Sequence, residues 1–130
     1  MLCNADPVVR RCLIVDDNEG FLAVAHASLE REGLQVVGTA KTIAEALSQV
    51  ETVRPDVILV DIALGQESGF ELTRQIVDSH PDLRGRIVLI STRHEEDFAD
   101  LITASPATGF LSKAQLSARA VRDLVAGGKG

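Results

Sequence analysis

The sequence predicts an α/β fold in which five parallel strands form one sheet covered by helices on both faces. Three observations predict it. Short, continuously apolar runs rich in β-branched residues recur along the chain, as in strands buried on both sides. Between them lie segments whose apolar residues repeat at a period near 3.6. Polar residues follow four of the five runs, on the rim where open parallel sheets bind ligands.

Taken in order, Cys12-Leu13-Ile14-Val15 is the first strand. The first helix carries Leu29, and Gly33 is placed to cap its C-terminus. Val36-Val37 marks the second strand. Ile43, Ala46, Leu47 and Val50 then form one stripe of a second helix, opened by a capping box of Thr42 and Glu45. Val57-Ile58-Leu59-Val60 is the third strand, and Ser68 with Glu71 opens the third helix. Ile87-Val88-Leu89-Ile90 is the fourth strand, and Thr92 with Glu95 is expected to open the fourth helix in the same way. Gly109-Phe110-Leu111 is a weaker fifth strand. Leu116, Ala120 and Leu124 mark the last helix. Right-handed crossovers make such a (βα) series a parallel sheet with helices on both faces. Residues 1–10 read as an N-terminal extension, 11–126 as the folded domain and 127–130 as a flexible tail.

Composition bounds the function. A chain of 130 residues is expected to be one domain, burying roughly two thirds of its unfolded surface. With four Phe and no Trp or Tyr, the core must be aliphatic. The net charge of −6 argues against nucleic acid and anionic membranes as partners, because both need a basic face. No run approaches the ~20 apolar residues of a membrane span, and the first residues lack the apolar centre of a signal peptide, so a cytoplasmic protein is expected. Cys3 and Cys12 form no disulfide framework, and Cys12 reads as a buried reduced thiol.

The strand ends carry the chemistry. Asp16-Asp17 follow the first strand, Asp61 the third, Ser91-Thr92 the fourth and Lys113 the fifth. Singly, an Asp at a strand end is commonly a cap or turn residue, and a Lys a solvated charge. Jointly they share one rim. Carboxylates crowded together repel and raise one another's pKa unless a cation is present. One Lys leaves two negative charges to cancel, which a divalent ion would do, and oxygen-only ligands favour Mg²⁺. His26 and His80 read as surface residues, and His94 lies near the rim without metal-ligand spacing. A divalent cation with a lysine and a hydroxyl alongside suits phosphoryl transfer to a third carboxylate.

Asp16-Asp17, Asp61, Ser91, Phe110 and Lys113 together resemble the signature residues of the response-regulator receiver family, spaced as that family spaces them over about residues 10–126. The resemblance implies a flavodoxin-like, doubly wound (βα)5 sheet with strand order 2-1-3-4-5. It also implies a two-component signalling protein that accepts a phosphoryl group on Asp61 from a histidine kinase or phosphotransfer protein, with Mg²⁺. Asp17, Asp61 and the Ala63 backbone carbonyl would bind the ion directly, and Asp16 through water. Lys113 would pair with a phosphoryl oxygen, Ser91 would hydrogen-bond the group after transfer, and Phe110 would turn inward as the switch. Beyond promoting its own phosphorylation and dephosphorylation, such a domain is not an enzyme.

The chain departs from the family pattern at three places. Ala114 follows Lys113 where a Pro after a cis peptide is usual, and Leu64-Gly65 replaces a Met-Pro, which should loosen that loop. Thr92 is larger than the common residue and narrows the opening, which Arg93 is placed to shield. Two rival readings fit the residues less well. A phosphate-independent pseudo-receiver would have lost an acid, the Lys or the hydroxyl, and a haloacid-dehalogenase-type hydrolase would carry an Asp where Ala63 stands. A stand-alone receiver is expected, the alternative being an N-terminal piece of a longer DNA-binding regulator. Signalling should pass through the fourth helix, fifth strand and fifth helix. There Glu95, Glu96, Asp97 and Asp100 accompany Phe98 and Leu101, either as a solvated face or as a docking surface for a basic partner or a second copy.

Overall fold

The computed structural model describes residues 9–127. The first apolar run forms β1 (Arg11–Val15), and the chain continues through α1 (Glu19–Arg31), β2 (Gln35–Ala40), α2 (Ile43–Val53) and β3 (Val57–Asp61). A two-strand hairpin, β4 (Ala63–Leu64) and β5 (Glu67–Ser68), precedes α3 (Gly69–Ser79). Then come β6 (Ile87–Ser91), α4 (Ala99–Ala104), β7 (Gly109–Ser112) and α5 (Ala118–Gly127). The five long strands pair in parallel in the order β2-β1-β3-β6-β7. With the hairpin set aside, this is the expected order 2-1-3-4-5.

Alternate residues of each central strand face opposite layers, as strand pleating requires. Cys12, Ile14, Leu59, Val88 and Ile90 pack with Leu22, Leu29 and Val121 of α1 and α5. Leu13, Val15, Ile58, Val60 and Leu89 pack with Ala46, Val50, Leu72 and Ile76 of α2 and α3. Both faces are therefore dry, and each such aliphatic side chain contributes roughly 1.5–3 kcal/mol on burial. Cys12 is fully buried, which pushes its thiol up to about 12.

The helix ends follow the sequence signals where local chemistry decides them. Thr42 Oγ1 accepts from the Glu45 amide at 3.1 Å, and Glu45 accepts from the Lys41 amide. Ser68 Oγ accepts from the Phe70 and Glu71 amides. Gly33 adopts φ +99° beyond α1. Its amide donates to Glu30 and that of Leu34 donates to Leu29, a Schellman closure.

Five expectations need correction. Thr92 and Glu95 do not open a helix. Ser91 Oγ takes the Arg93 amide, a 3₁₀ turn runs over Glu95–Phe98, and α4 follows with six residues, none of them fully buried. The Leu64-Gly65 segment is not a loose loop, because Leu64 is buried in the core and Gly65, at φ +64°, turns the hairpin. Leu116 lies before α5, whose buried positions are Ala118 and Val121. Gly127, expected in the tail, ends α5, where a residue needs no further helical donor. Val9, assigned to the extension, is buried, and its carbonyl accepts from Arg122 Nε at 3.3 Å. Cys3 and residues 128–130 lie outside the described residues. No peptide bond among the described residues is cis, so Lys113-Ala114 is trans. No helix among them is long and apolar enough to cross a membrane.

Candidate functional site

Four parallel strands deliver their polar ends to one rim. Asp16 follows β1, fully buried, its amide bonded to Ala40 and its Oδ1 accepting from the Asn18 amide at 2.8 Å. Asp17 is exposed beside it. Asp61, 7% exposed, is the last residue of β3, and its Oδ1 accepts from the Ala63 amide at 3.0 Å. Ser91 ends β6 and is buried. Lys113 follows β7, and its Nζ lies 2.6 Å from Asp16 Oδ2 and 3.0 Å from Asp61 Oδ2. Asp16, Asp17, Asp61, Ala63, Ser91 and Lys113 line a cleft of about 580 Å³, with Thr92 and Arg93 exposed at its mouth. A separate cavity of about 560 Å³ opens beside Arg54, His80 and Arg86 and includes none of these rim residues.

The electrostatics follow from that crowding. Burial, together with the charge of Asp16, raises the Asp61 carboxyl above its ordinary value, and the Ala63 amide and Lys113 only partly oppose this. Burial alone would lower the Lys113 ammonium, but hydrogen bonds and charge from Asp16 and Asp61 outweigh it and raise it. Asp16, Asp17 and Asp61 each offer a carboxylate oxygen, and all three lie within 4.8 Å of one another. Asp16 Oδ2 is buried and ion-paired to Lys113. Three carboxylates gathered this closely, with oxygen-only donors, fit a hard divalent cation.

Every sequence-predicted rim residue is thus in place. Phe110 is set back from the cleft. It is half-buried against the second core layer, pairs with Leu89 in register, and borders a smaller cavity beside Arg93 and Gln115. His94 is exposed at that same cavity. Three further residues shape the site beyond those at the strand ends. Phe21 places its ring 4.2 Å from Lys113 Nζ. Asn18 caps α1 through the Phe21 amide at 2.9 Å. At Gly69 a Cβ would meet the Asp61 carbonyl oxygen at 2.0 Å, so only glycine lets α3 start against the strand that carries Asp61. Asn18 had a signal in its place after Asp16-Asp17, as a cap residue. The other two are tertiary contacts.

The family model of the response regulator receiver domain matches residues 12–125. The chain belongs to this family. Receiver domains are the phosphoacceptors of two-component signalling. Among curated relatives, response regulator GacA of Pseudomonas viridiflava is 32% identical over 104 residues, which are 79% of this chain and 48% of that protein. The DNA-binding transcriptional activator DevR/DosR of Mycobacterium tuberculosis is 37% identical over 90% of this receiver and 55% of its own length. The chain therefore spans about half the length of these relatives. Among solved structures, a LuxR-family response regulator from Aurantimonas superposes with TM-score 0.82 at 25% identity, covering 94% of this chain and 89% of that one. A Burkholderia pseudomallei response regulator, solved with a phosphorylated aspartic acid, calcium ion and citrate, gives 0.75 at 28% identity, over 89% of this chain and 66% of that one.

Proposed function

We propose that this receiver takes a phosphoryl group on Asp61 from a phosphohistidine of a kinase or phosphotransfer protein, and that the acyl phosphate resets a protein-binding surface. The observation that carries this is the ammonium of Lys113, 2.6 Å from Asp16 and 3.0 Å from Asp61 at one buried rim. An Asp61 oxygen attacks the donor phosphorus, the donor P–N bond breaks, and the imidazole nitrogen leaves with the electron pair. Lys113 exchanges its contact with Asp61 Oδ2 for one with a phosphoryl oxygen and so balances the incoming charge. Ser91 turns its hydroxyl from the Arg93 amide, now 2.9 Å away, to the arriving group. A Mg²⁺ ion held by Asp17, Asp61 and the Ala63 carbonyl, and by Asp16 through water, would neutralise charge on the transferring oxygens. The chain promotes only its own phosphorylation and dephosphorylation, without turning over an external substrate. The calcium and phosphorylated aspartate of the Burkholderia relative support this reading by analogy.

A second reading concerns output. The stand-alone form is the reading of the sequence, whereas a receiver controlling a DNA-binding segment of a longer regulator is favoured by the relatives, which are about twice as long as the matched part. The signalling reading is tested by incubation with acetyl phosphate, with and without Mg²⁺, followed by intact mass. One phosphoryl adduct that requires Mg²⁺ and disappears in Asp61→Asn supports it. An adduct retained in Asp61→Asn would overturn it.

A further inference from the structure

We propose that Phe21 is a positioning residue for Lys113, holding the ammonium at the cleft while it changes partner from Asp61 to the phosphoryl group. The inference rests on the phosphoacceptor reading of Asp61 and extends it to a residue on a different element. Lys113 Nζ sits 4.2 Å from the centroid of the Phe21 ring, within the range at which an ammonium is held by the negative face of an aromatic ring. Among the described residues its remaining close partners are the two carboxylates, Asp16 and Asp61. A lysine side chain is long and has many rotamers. One of its two acid partners is consumed as a partner when Asp61 is phosphorylated. A neutral ring that neither titrates nor reacts keeps one side of the ammonium fixed throughout.

The ring is itself fixed. Asp16 Oδ1 accepts the Asn18 amide at 2.8 Å, and Asn18 Oδ1 accepts the Phe21 amide at 2.9 Å. Phe21 then covers Lys113, and Lys113 returns to Asp16 Oδ2 at 2.6 Å. These four links close a circuit through residues 16, 18, 21 and 113. It ties the first turn of α1 to the residue after β7, so the start of the first helix and the end of the last strand hold one cation between them. Phe21 is half-buried and packs against the α1–α5 core layer, which keeps the ring from swinging into solvent. A purely packing role would be filled equally well by Leu, which offers similar bulk and no π face.

The test uses the full chain with acetyl phosphate as donor, following the rate of Asp61 phosphorylation against donor concentration in unmutated protein, Phe21→Leu, Phe21→Tyr and Lys113→Ala. Phe21→Leu should lower the saturating rate roughly three- to tenfold, the span expected from losing one partly desolvated cation–π contact. It should leave half-saturation by the donor unchanged, and Phe21→Tyr should restore the rate. Independently of any variant, the Lys113 side-chain methylene protons in the unmutated protein should show ring-current shifts to high field. A Phe21→Leu rate equal to the unmutated one, beside a slow Lys113→Ala, would overturn the role of Phe21 and leave that of Lys113 standing. Unshifted Lys113 methylenes would overturn it as well, even if Phe21→Leu fails to fold. Absence of any adduct in the unmutated protein would instead overturn the phosphoacceptor reading beneath it.

Discussion

At the scale of single residues, the site depends on a few positions whose tolerance can be stated. Gly69 is the strictest, since a Cβ there would lie 2.0 Å from the Asp61 carbonyl oxygen. Gly69→Ala must push α3 away from β3, so it should cost about 1–3 kcal/mol, as overpacked sites do, and slow phosphorylation because Asp61 moves with its backbone. Chemical denaturation and the phosphorylation rate check both parts. Asp61 itself is held at a cost. Its carboxyl is raised above the ordinary 3.8 by burial first, then by Asp16. A raised acid contributes stability that is present below the unfolded value and is lost as pH rises through the folded value. Without Mg²⁺, the burial of this carboxyl therefore destabilises the fold as pH rises, and Asp61→Asn should raise the melting temperature. Added Mg²⁺ should narrow that difference by stabilising the unmutated protein alone. An Asp61→Asn protein that melts lower without metal would contradict the electrostatic account. Ala63 has no side-chain donor or acceptor with which to place a hydrolytic water, and it lines the cleft beside Asp61. Ala63→Asn should thus shorten the phosphorylated lifetime about fivefold, equivalent to one hydrogen bond of ~1 kcal/mol, as read from the decay of the adduct. The acids, the hydroxyl and the lysine were legible because strand ends of a parallel sheet converge. Phe21 and Gly69 were not, since each acts through a neighbour distant in sequence.

At the scale of elements, the chain is unevenly secured. The first three helices each bury an apolar stripe, whereas α4 buries no residue fully, and Leu101 on it is 54% exposed. Phe98, in the turn before α4, is half-buried and packs at 6.4 Å between ring centroids against Phe70 of α3. An element with so little buried area opens at low free energy and is suited to be the one that responds. Ser91 and Phe110 lie on the adjacent strands β6 and β7, so a hydroxyl drawn toward Asp61 changes the packing beside the ring. Chemical-shift mapping with a phosphate mimic should therefore show changes through α4, β7 and α5. Changes confined to the acid cleft would contradict the coupling. The sequence placed this helix too early because Thr92 and Glu95 have capping-box spacing, yet Ser91 closes the preceding turn instead. The hairpin between β3 and α3 was likewise hidden. Its register depends on burying Leu64 and on Glu67, whose Oε1 accepts the Ile43 amide of α2 at 2.9 Å.

At the scale of the whole molecule, the doubly wound sheet was legible because every central strand is continuously apolar, as burial on both faces demands. Pleating then splits each strand between the two core layers, and crossover handedness leaves the strand ends on one side. That topology is what gathers residues 16, 61, 91 and 113 from four strands into one cleft, where Asp61 is proposed to accept its phosphoryl group. The most direct measurement is borohydride reduction of the protein after treatment with acetyl phosphate and Mg²⁺, followed by peptide mapping. An acyl phosphate on Asp61 would be reduced to homoserine at position 61, and at no other aspartate. Homoserine elsewhere, or a phosphoryl group found on Ser91 or a histidine with Asp61 intact, would contradict the account.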